Sequence, residues 1–299
     1  MKSLLQIFIF YICAAHFSTL CATPIKVLVS VLPQKEMIER IGGEYVEVEV
    51  LVPKGKSPEI YEPSIAQMKY IEDSHIFFGV GMPFESAWLK RIAHINPSLI
   101  YYNLAHSVLT DNRIKGADSK HTHAHNPHIW LSPKAILPQI DIIAQTLGKL
   151  DKEHFKIFQQ NATLLSDDIR AIQEHTKELF AKEDSKKSFI TYHPALTYWS
   201  AEFKVKELSI ENNGKEIKGR ELVELMAQVK KDSVEAIFIQ PEFAKSRVEM
   251  FARELDLRII ELDVLRKDWL LSLQDLACQI AFSLSAQESK SCVQKYFKD

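Results

Sequence analysis

The 299-residue sequence has little glycine and little cysteine, no excess of charge of either sign, and a single long apolar run at its N-terminus. Its nine glycines favour a rigid body. Its 37 basic and 39 acidic residues nearly balance and no basic run stands out, so a nucleic-acid partner is not expected. With 46% hydrophobic and 25% charged residues, the composition is that of a globular protein, not of a disordered, collagen-like or polytopic membrane protein.

The apolar run at the N-terminus predicts a signal peptide over residues 1–22. A positively charged residue precedes the stretch from Leu4 to Leu20, and Ala22 ends a short cleavage site of small residues. A membrane anchor is the alternative, but polar residues interrupt the run. Lipid attachment at Cys21 is less favoured, because Leu20 stands where a small residue is required. We therefore expect an exported protein.

Cleavage after residue 22 leaves two cysteines, Cys278 and Cys292. An oxidising compartment permits a disulfide between them. Two separate thiols, one on a C-terminal helix and one on the tail, are the alternative, and the sequence leaves both possibilities open.

Strand-like runs alternate with helical patterns in both halves of the chain, which predicts an α/β protein with mostly parallel sheets in two lobes. We place the N-terminal lobe at 23–150 and the C-terminal lobe at 183–299. In the first half the predicted strands are 25–32, 46–52, 76–80 and 99–104, and the predicted helices are 34–41, 65–71 and 83–95. In the second half the predicted strands are 189–192, 205–208, 236–240 and 258–262, and the predicted helices are 220–230 and 246–255.

The segment between the lobes has the most regular helical spacing in the sequence. Apolar residues recur at steps of mainly three and four, Asp151 is placed to cap the start, and the segment contains no glycine or proline. We predict one helix of about 31 residues over 151–182, which acts as a stiff linking spine. The segment 105–126, by contrast, has no periodicity and is expected to be a loop.

Histidines cluster at the end of this loop. Of the 11 histidines, four lie between positions 121 and 128, and such clustering is typical of metal binding. His121, His123 and His125 lie in the loop itself, where a solvated polar segment is an equal alternative. His128 differs, because Pro127 stiffens the backbone before it and Ser132 and Pro133 are placed to begin the next helix.

Three further candidate residues lie after predicted strands. His193 and Asp263 directly follow strands of the second half, and Glu59 lies in the loop after the strand 46–52. Because ligands of open α/β sheets bind at the carboxyl ends of the strands, these residues and His128 are candidates for one shared site. Taken alone, each of these residues is more often hydrogen-bonded at the surface or at a helix cap than bound to a ligand.

Four motifs of this sequence resemble those of the zinc- and manganese-binding solute-binding proteins of ABC transporters, the ZnuA/TroA group. They are Pro58–Pro63, Asn126–Trp130, Tyr192–Pro194 and Leu262–Asp263. The resemblance covers nearly all of the mature chain. It implies two α/β lobes joined by a spine helix, with a metal held in the cleft between them by Glu59, His128, His193 and Asp263.

The resemblance also implies a function. It indicates a monomeric periplasmic protein, not an enzyme, that delivers a metal ion to an inner-membrane permease with a cytoplasmic ATPase. Glu59 replaces a histidine of the family motif, and two nitrogen and two oxygen donors shift the balance toward Mn²⁺. Zn²⁺ remains the better prediction, because the Irving–Williams order favours it and the histidine loop suits it. A water or a loop histidine in place of Glu59 is an alternative.

Two other functions have some support. An adhesin built on the same scaffold would have no ligand signature in the sequence. A metallohydrolase is suggested by the His-x-His spacing in the run from His121 to His125, but this run is followed by Asn126 and Pro127 and not by the Asp and His of that signature. A spine helix does not belong to the metallohydrolase fold either, so this function is disfavoured.

Overall fold

The computed structural model describes residues 23–110, 126–181, 188–212 and 214–284. The predicted signal peptide, the loop histidines His121, His123 and His125, and Cys292 lie outside these residues. Within the described ranges, no helix is both long and apolar enough to cross a membrane.

The first half forms a four-stranded sheet in which every pair of neighbouring strands is parallel, in the order β2-β1-β3-β4. The predicted alternation of strands and helices is confirmed. One prediction was wrong: a short helix begins in the segment expected to be a loop, because the side chain of Asn103 accepts the N–H of Ala105 and starts the turn. The elements are β1 (Ile25–Val29), α1 (Leu32–Gly42), β2 (Val46–Val50), α2 (Ile65–Asp73), β3 (Ile76–Gly79), α3 (Pro83–Ile95), β4 (Ile100–Asn103) and α4 (Ala105–Thr110).

Two long helices, α5 (Pro133–Leu150) and α6 (Phe155–Phe180), link the halves. Ser132 caps α5 by accepting the N–H of Ala135, as predicted. Helix α6 has 26 residues, about 39 Å, and is shorter than the predicted spine of about 31 residues. The carboxylate of Asp151 accepts the N–H groups of Glu153 and His154, so Asp151 shapes a turn between the helices instead of starting the second one.

The second half repeats the parallel arrangement, with strand order β10-β9-β5-β6, and adds a small antiparallel hairpin, β7-β8. Cys278 on its last helix is disulfide-bonded, and the pairing with Cys292 stays a prediction. The elements are β5 (Ser188–Thr191), α7 (Thr197–Phe203), β6 (Lys206–Ser209), β7 (Glu211–Asn212), β8 (Lys215–Glu216), α8 (Arg220–Lys231), β9 (Ala236–Ile239), α9 (Ser246–Leu255), β10 (Arg258–Glu261) and α10 (Trp269–Leu284).

Among the described residues, two tryptophans join the halves within the larger of two hydrophobic cores. This core includes the first sheet, α5, α6 and α10, whereas a smaller core lies under α8 and α9. The indole N–H of Trp269 donates to the carbonyl of Trp130 at 2.8 Å, and the indole N–H of Trp130 donates to the carbonyl of Val264 at 2.9 Å. Both indoles are fully buried, so these bonds fix the backbone after His128 against the loop that follows β10.

Candidate metal centre

Three of the four predicted ligands come together in the structure. Glu59, His128 and His193 each offer one ligand atom, and the three atoms lie within 4.8 Å of one another. They line a cavity of ≈ 20 Å³, which has room for about one ion or water. Distant parts of the chain thus converge on a space of the size of a single bound ion.

The topology of the sheets explains this convergence. His193 lies two residues beyond the end of β5, and Glu59 lies in the loop that follows β2. His128 immediately precedes the short 3₁₀ helix Ile129–Leu131, whose three residues are buried in the larger core. Because the carboxyl ends of parallel strands meet at one edge of a sheet, strand order alone brings the loops of each sheet together.

Asp263 is not part of the three-residue group. It lies two residues beyond β10, as predicted, but its Oδ1 accepts the N–H of Leu265 at 2.9 Å. Its neighbours Val264 and Leu265 line the cavity. A role for Asp263 as a fourth ligand stays a prediction.

His193 lies between two carboxylates. Its Nδ1 is 2.9 Å from Oε1 of Glu211, and its Nε2 is 3.1 Å from Oε1 of Glu59. Burial by itself would lower the pKa of His193, but the hydrogen bonds and charges of the two glutamates outweigh burial and raise this pKa to about 9. Without a metal, the imidazole is therefore protonated at neutral pH and bridges the two acids.

His128 has the opposite electrostatic environment. Its Nδ1 is 2.6 Å from Oδ1 of Asn126, a neutral acceptor, and its ring lies 5.2 Å from that of His193 between centroids. Burial lowers the pKa of His128 well below its usual value, and the nearby charge of His193 lowers it further. His128 is therefore neutral and ready to donate a lone pair to a metal.

The donor set is suited to a borderline divalent cation. Two imidazole nitrogens and one carboxylate oxygen are a combination that zinc commonly takes in proteins. Each histidine has a hydrogen-bond partner on Nδ1, which leaves Nε2 to face the metal, the arrangement usual in metal centres.

Comparison with known proteins identifies the family. The model of the family described as the periplasmic component A of the zinc-uptake complex, ZnuA, matches residues 27–280. The chain belongs to this zinc-uptake family. Zn²⁺ is accordingly the metal that both the family and the donor set support.

Several known proteins are similar to this chain in sequence or in structure. A putative metal-binding protein of Treponema pallidum is 27% identical over 233 residues, which cover 74% of this chain and 73% of that protein. A crystal structure of ZnuA is 27% identical with a TM-score of 0.80, and the match covers 88% of this chain and 100% of the other. A zinc-bound ZnuA from which residues 138–173 were deleted has the same identity, TM-score and coverage of this chain, with 99% of its own chain covered.

Three residues around the centre were missed by the sequence analysis. Glu211 lies in a two-residue strand, which is too short to give a periodic signal. Asn126 was noted as part of a motif but not as a partner of His128. Glu242 lines the same cavity, and burial raises its pKa, with a further contribution from the charge of Asp263. The position of Glu242 after the predicted strand 236–240 was the signal that could have identified it.

Proposed function

We propose that this protein captures one divalent transition metal ion, zinc, outside the cytoplasm and delivers it to an ABC permease powered by an ATPase. The observation that carries the proposal is the convergence of ligand atoms from Glu59, His128 and His193 within 4.8 Å. Membership of the zinc-uptake family supports the transport role. In this proposal zinc is the cargo and takes part in no reaction.

The size of the site supports carriage instead of catalysis. A catalytic zinc keeps an open position for water and substrate, with a general base nearby. Here the cavity holds about one ion. Two carboxylates lie within hydrogen-bond distance of His193: Glu59 is itself one of the proposed ligands, and Glu211 bonds to Nδ1, not to the nitrogen proposed to bind the metal.

The donor types support zinc over manganese. Zinc binds more tightly than manganese to most nitrogen and oxygen sites, and two of the three converging donors are imidazoles. Asp263 as a fourth, oxygen donor would make the set harder and reduce this preference, so the contributions of Glu59 and Asp263 determine the selectivity.

The proposal is tested by metal content and by competitive titration of the mature protein with Zn²⁺ and Mn²⁺. We expect one tightly bound zinc per chain, with affinity lost in His193→Ala and strongly reduced in Glu59→Ala. His154→Ala is the matched control, because His154 pairs with Asp151 between the linking helices and does not line the cavity. Selective retention of Mn²⁺ would instead indicate a manganese carrier, and no tight metal would refute the proposal.

The histidine loop is tested in the same titration. A variant with His121, His123 and His125 replaced together should retain the tight zinc site if the loop is an accessory collector. Loss of that site would show that a loop histidine is a required ligand.

A further inference from the structure

One side chain, that of Asn126, is hydrogen-bonded to both segments that carry the histidine ligands. Its Oδ1 is 2.9 Å from the backbone N of His128 and 2.6 Å from the ring Nδ1 of the same residue. Its Nδ2 donates to the carbonyl of Pro194 at 2.8 Å and to Oγ1 of Thr197 at 2.9 Å. Asn126 thus connects the His128 segment to the turn that follows His193.

These contacts fix the orientation of the amide. The carbonyl of Pro194 can only accept a hydrogen bond, so the amide group that faces it must be the NH₂. The Oδ1 atom of Asn126 consequently faces His128, and Nδ1 of a neutral His128 must carry the proton. The lone pair of that imidazole is then on Nε2, the nitrogen left for a metal.

The turn to which Asn126 binds is itself rigid. The partly buried carboxylate of Glu207 accepts the N–H of Leu196 with both oxygens, at 3.2 and 3.1 Å. The amide of Gln240 donates to the carbonyl of His193 at 2.9 Å. Glu207 and Gln240 hold this turn against the second sheet. The hydrogen bonds from Asn126 to the turn therefore fix the position of His128 relative to His193.

We propose that Asn126 is a positioning residue: it sets the Nδ1–H tautomer of His128 and locks the His128 segment to the His193 turn, so that the two imidazoles form a ready-made pair. The ligand roles of the two histidines rest on the proposed function. An aspartate at position 126 could accept from His128, but it could not donate to Pro194 and would place a charged oxygen against that carbonyl.

The tautomer can be measured without metal. Long-range ¹H–¹⁵N correlation spectra of the metal-free mature protein distinguish the Nδ1–H from the Nε2–H form of His128. We expect the Nδ1–H form in the wild type and in Asn126→Asp, which keeps the acceptor, and a shift toward Nε2–H in Asn126→Ala. An Nε2–H form in the wild type, or an unchanged tautomer in Asn126→Ala, would overturn the assignment.

Zinc affinity provides the second readout. Outer-shell partners of metal ligands typically contribute about 10- to 100-fold, so Asn126→Ala should weaken zinc binding by about that factor. Thr197→Val, which removes only one of the two hydrogen bonds that Nδ2 of Asn126 donates, should cause a smaller loss and leave the tautomer unchanged. Asn161→Ala is the matched control, because the Asn161 amide also donates to a backbone carbonyl, that of Ile41, but does not line the cavity.

The outcomes separate this inference from the proposed function. Equal zinc affinity in wild type, Asn126→Ala and Asn161→Ala would refute the positioning role while leaving the carrier function intact. A wild type that binds no zinc would refute the carrier function, and the tautomer measurement would still decide how Asn126 orients His128.

Discussion

The segments around His128 and His193 present the same side chain in opposite electrostatic states. His128 lies against the larger core, is 4% exposed, and is bonded to the neutral amide of Asn126. His193 lies at the edge of the second sheet, is 6% exposed, and is held between the carboxylates of Glu59 and Glu211. Burial is nearly equal, so the charge of the partners decides the direction of each pKa shift.

The opposite protonation states of the two histidines affect metal capture. At neutral pH, Nε2 of His128 carries no proton, whereas Nε2 of His193 must release a proton before it can bind a metal. The two carboxylates that stabilise the protonated imidazole also make the site negative, which favours a divalent cation. The pH dependence of zinc affinity near neutral pH is therefore expected to come mainly from His193.

The largest effect on zinc affinity outside the ligands themselves, equal in size to that expected for Asn126→Ala, is expected from removing the carboxylate that bonds to Nδ1 of His193. Glu211→Ala should weaken zinc binding by about 10- to 100-fold, because Glu211 orients the ring and increases the basicity of its metal-facing nitrogen. Glu211→Gln should recover part of this loss, since an amide oxygen still accepts from Nδ1. Competitive zinc titration measures both variants.

The control for this prediction is Glu216→Ala. Glu216 lies on the same hairpin but bonds to Tyr192 and Arg247 and does not contact His193. An equal loss of zinc affinity in Glu211→Ala and Glu216→Ala would mean that the hairpin as a whole, and not the carboxylate on His193, supports the site.

A smaller effect is expected from pH. With a pKa of about 9 for His193, the deprotonated fraction falls about tenfold per pH unit below that value, so apparent zinc affinity should fall about tenfold between pH 8 and pH 7. An unperturbed histidine, with a pKa of about 6.5, would give a nearly flat affinity over this interval. A flat profile would contradict the paired carboxylates as the source of the shift.

The same shift predicts the stability of the metal-free protein. Because the pKa of His193 is raised on folding, its contribution to the free energy of unfolding is fully present below about pH 6.5 and is lost as pH rises through about 9. Urea unfolding of the metal-free wild type and of His193→Gln measures this contribution. The advantage of the wild type should shrink between pH 7 and pH 9.5, and a constant or growing advantage would contradict the prediction.

The smallest effect on zinc affinity is expected from the tryptophan contacts of the segment that follows His128. Trp130→Phe removes the donor to the carbonyl of Val264, which should lower the free energy of unfolding by about 1–3 kcal/mol and weaken zinc binding by less than about tenfold. Urea unfolding and zinc titration measure the two effects. Trp88→Phe, at a partly buried indole next to Arg91, should leave zinc affinity unchanged. A loss in Trp130→Phe larger than in Glu211→Ala would reverse the comparison.

Much of the fold was readable from the sequence, because the period of apolar residues reports which face of an element is buried. The alternation of strands and helices predicted two parallel sheets, and the positions of His193 and Asp263 after strands followed from it. The two-residue strand that carries Glu211 gave no such signal. Local turn bonds were also invisible in the sequence, as with Asp151, which turns the chain between two helices instead of starting the second one.

The sequence by itself determined which residue types were available for metal binding and which of them follow strands, since both depend on local order along the chain. The strand ends predicted one shared site, but only the tertiary structure decided that Glu59, His128 and His193 converge while Asp263 bonds within its own loop. It also decided that one histidine faces an amide and the other faces two carboxylates. The pKa of a buried group depends on charges that are far away in sequence and within a few ångströms in space, so the opposite protonation states of the two histidines could not follow from the order of residues alone.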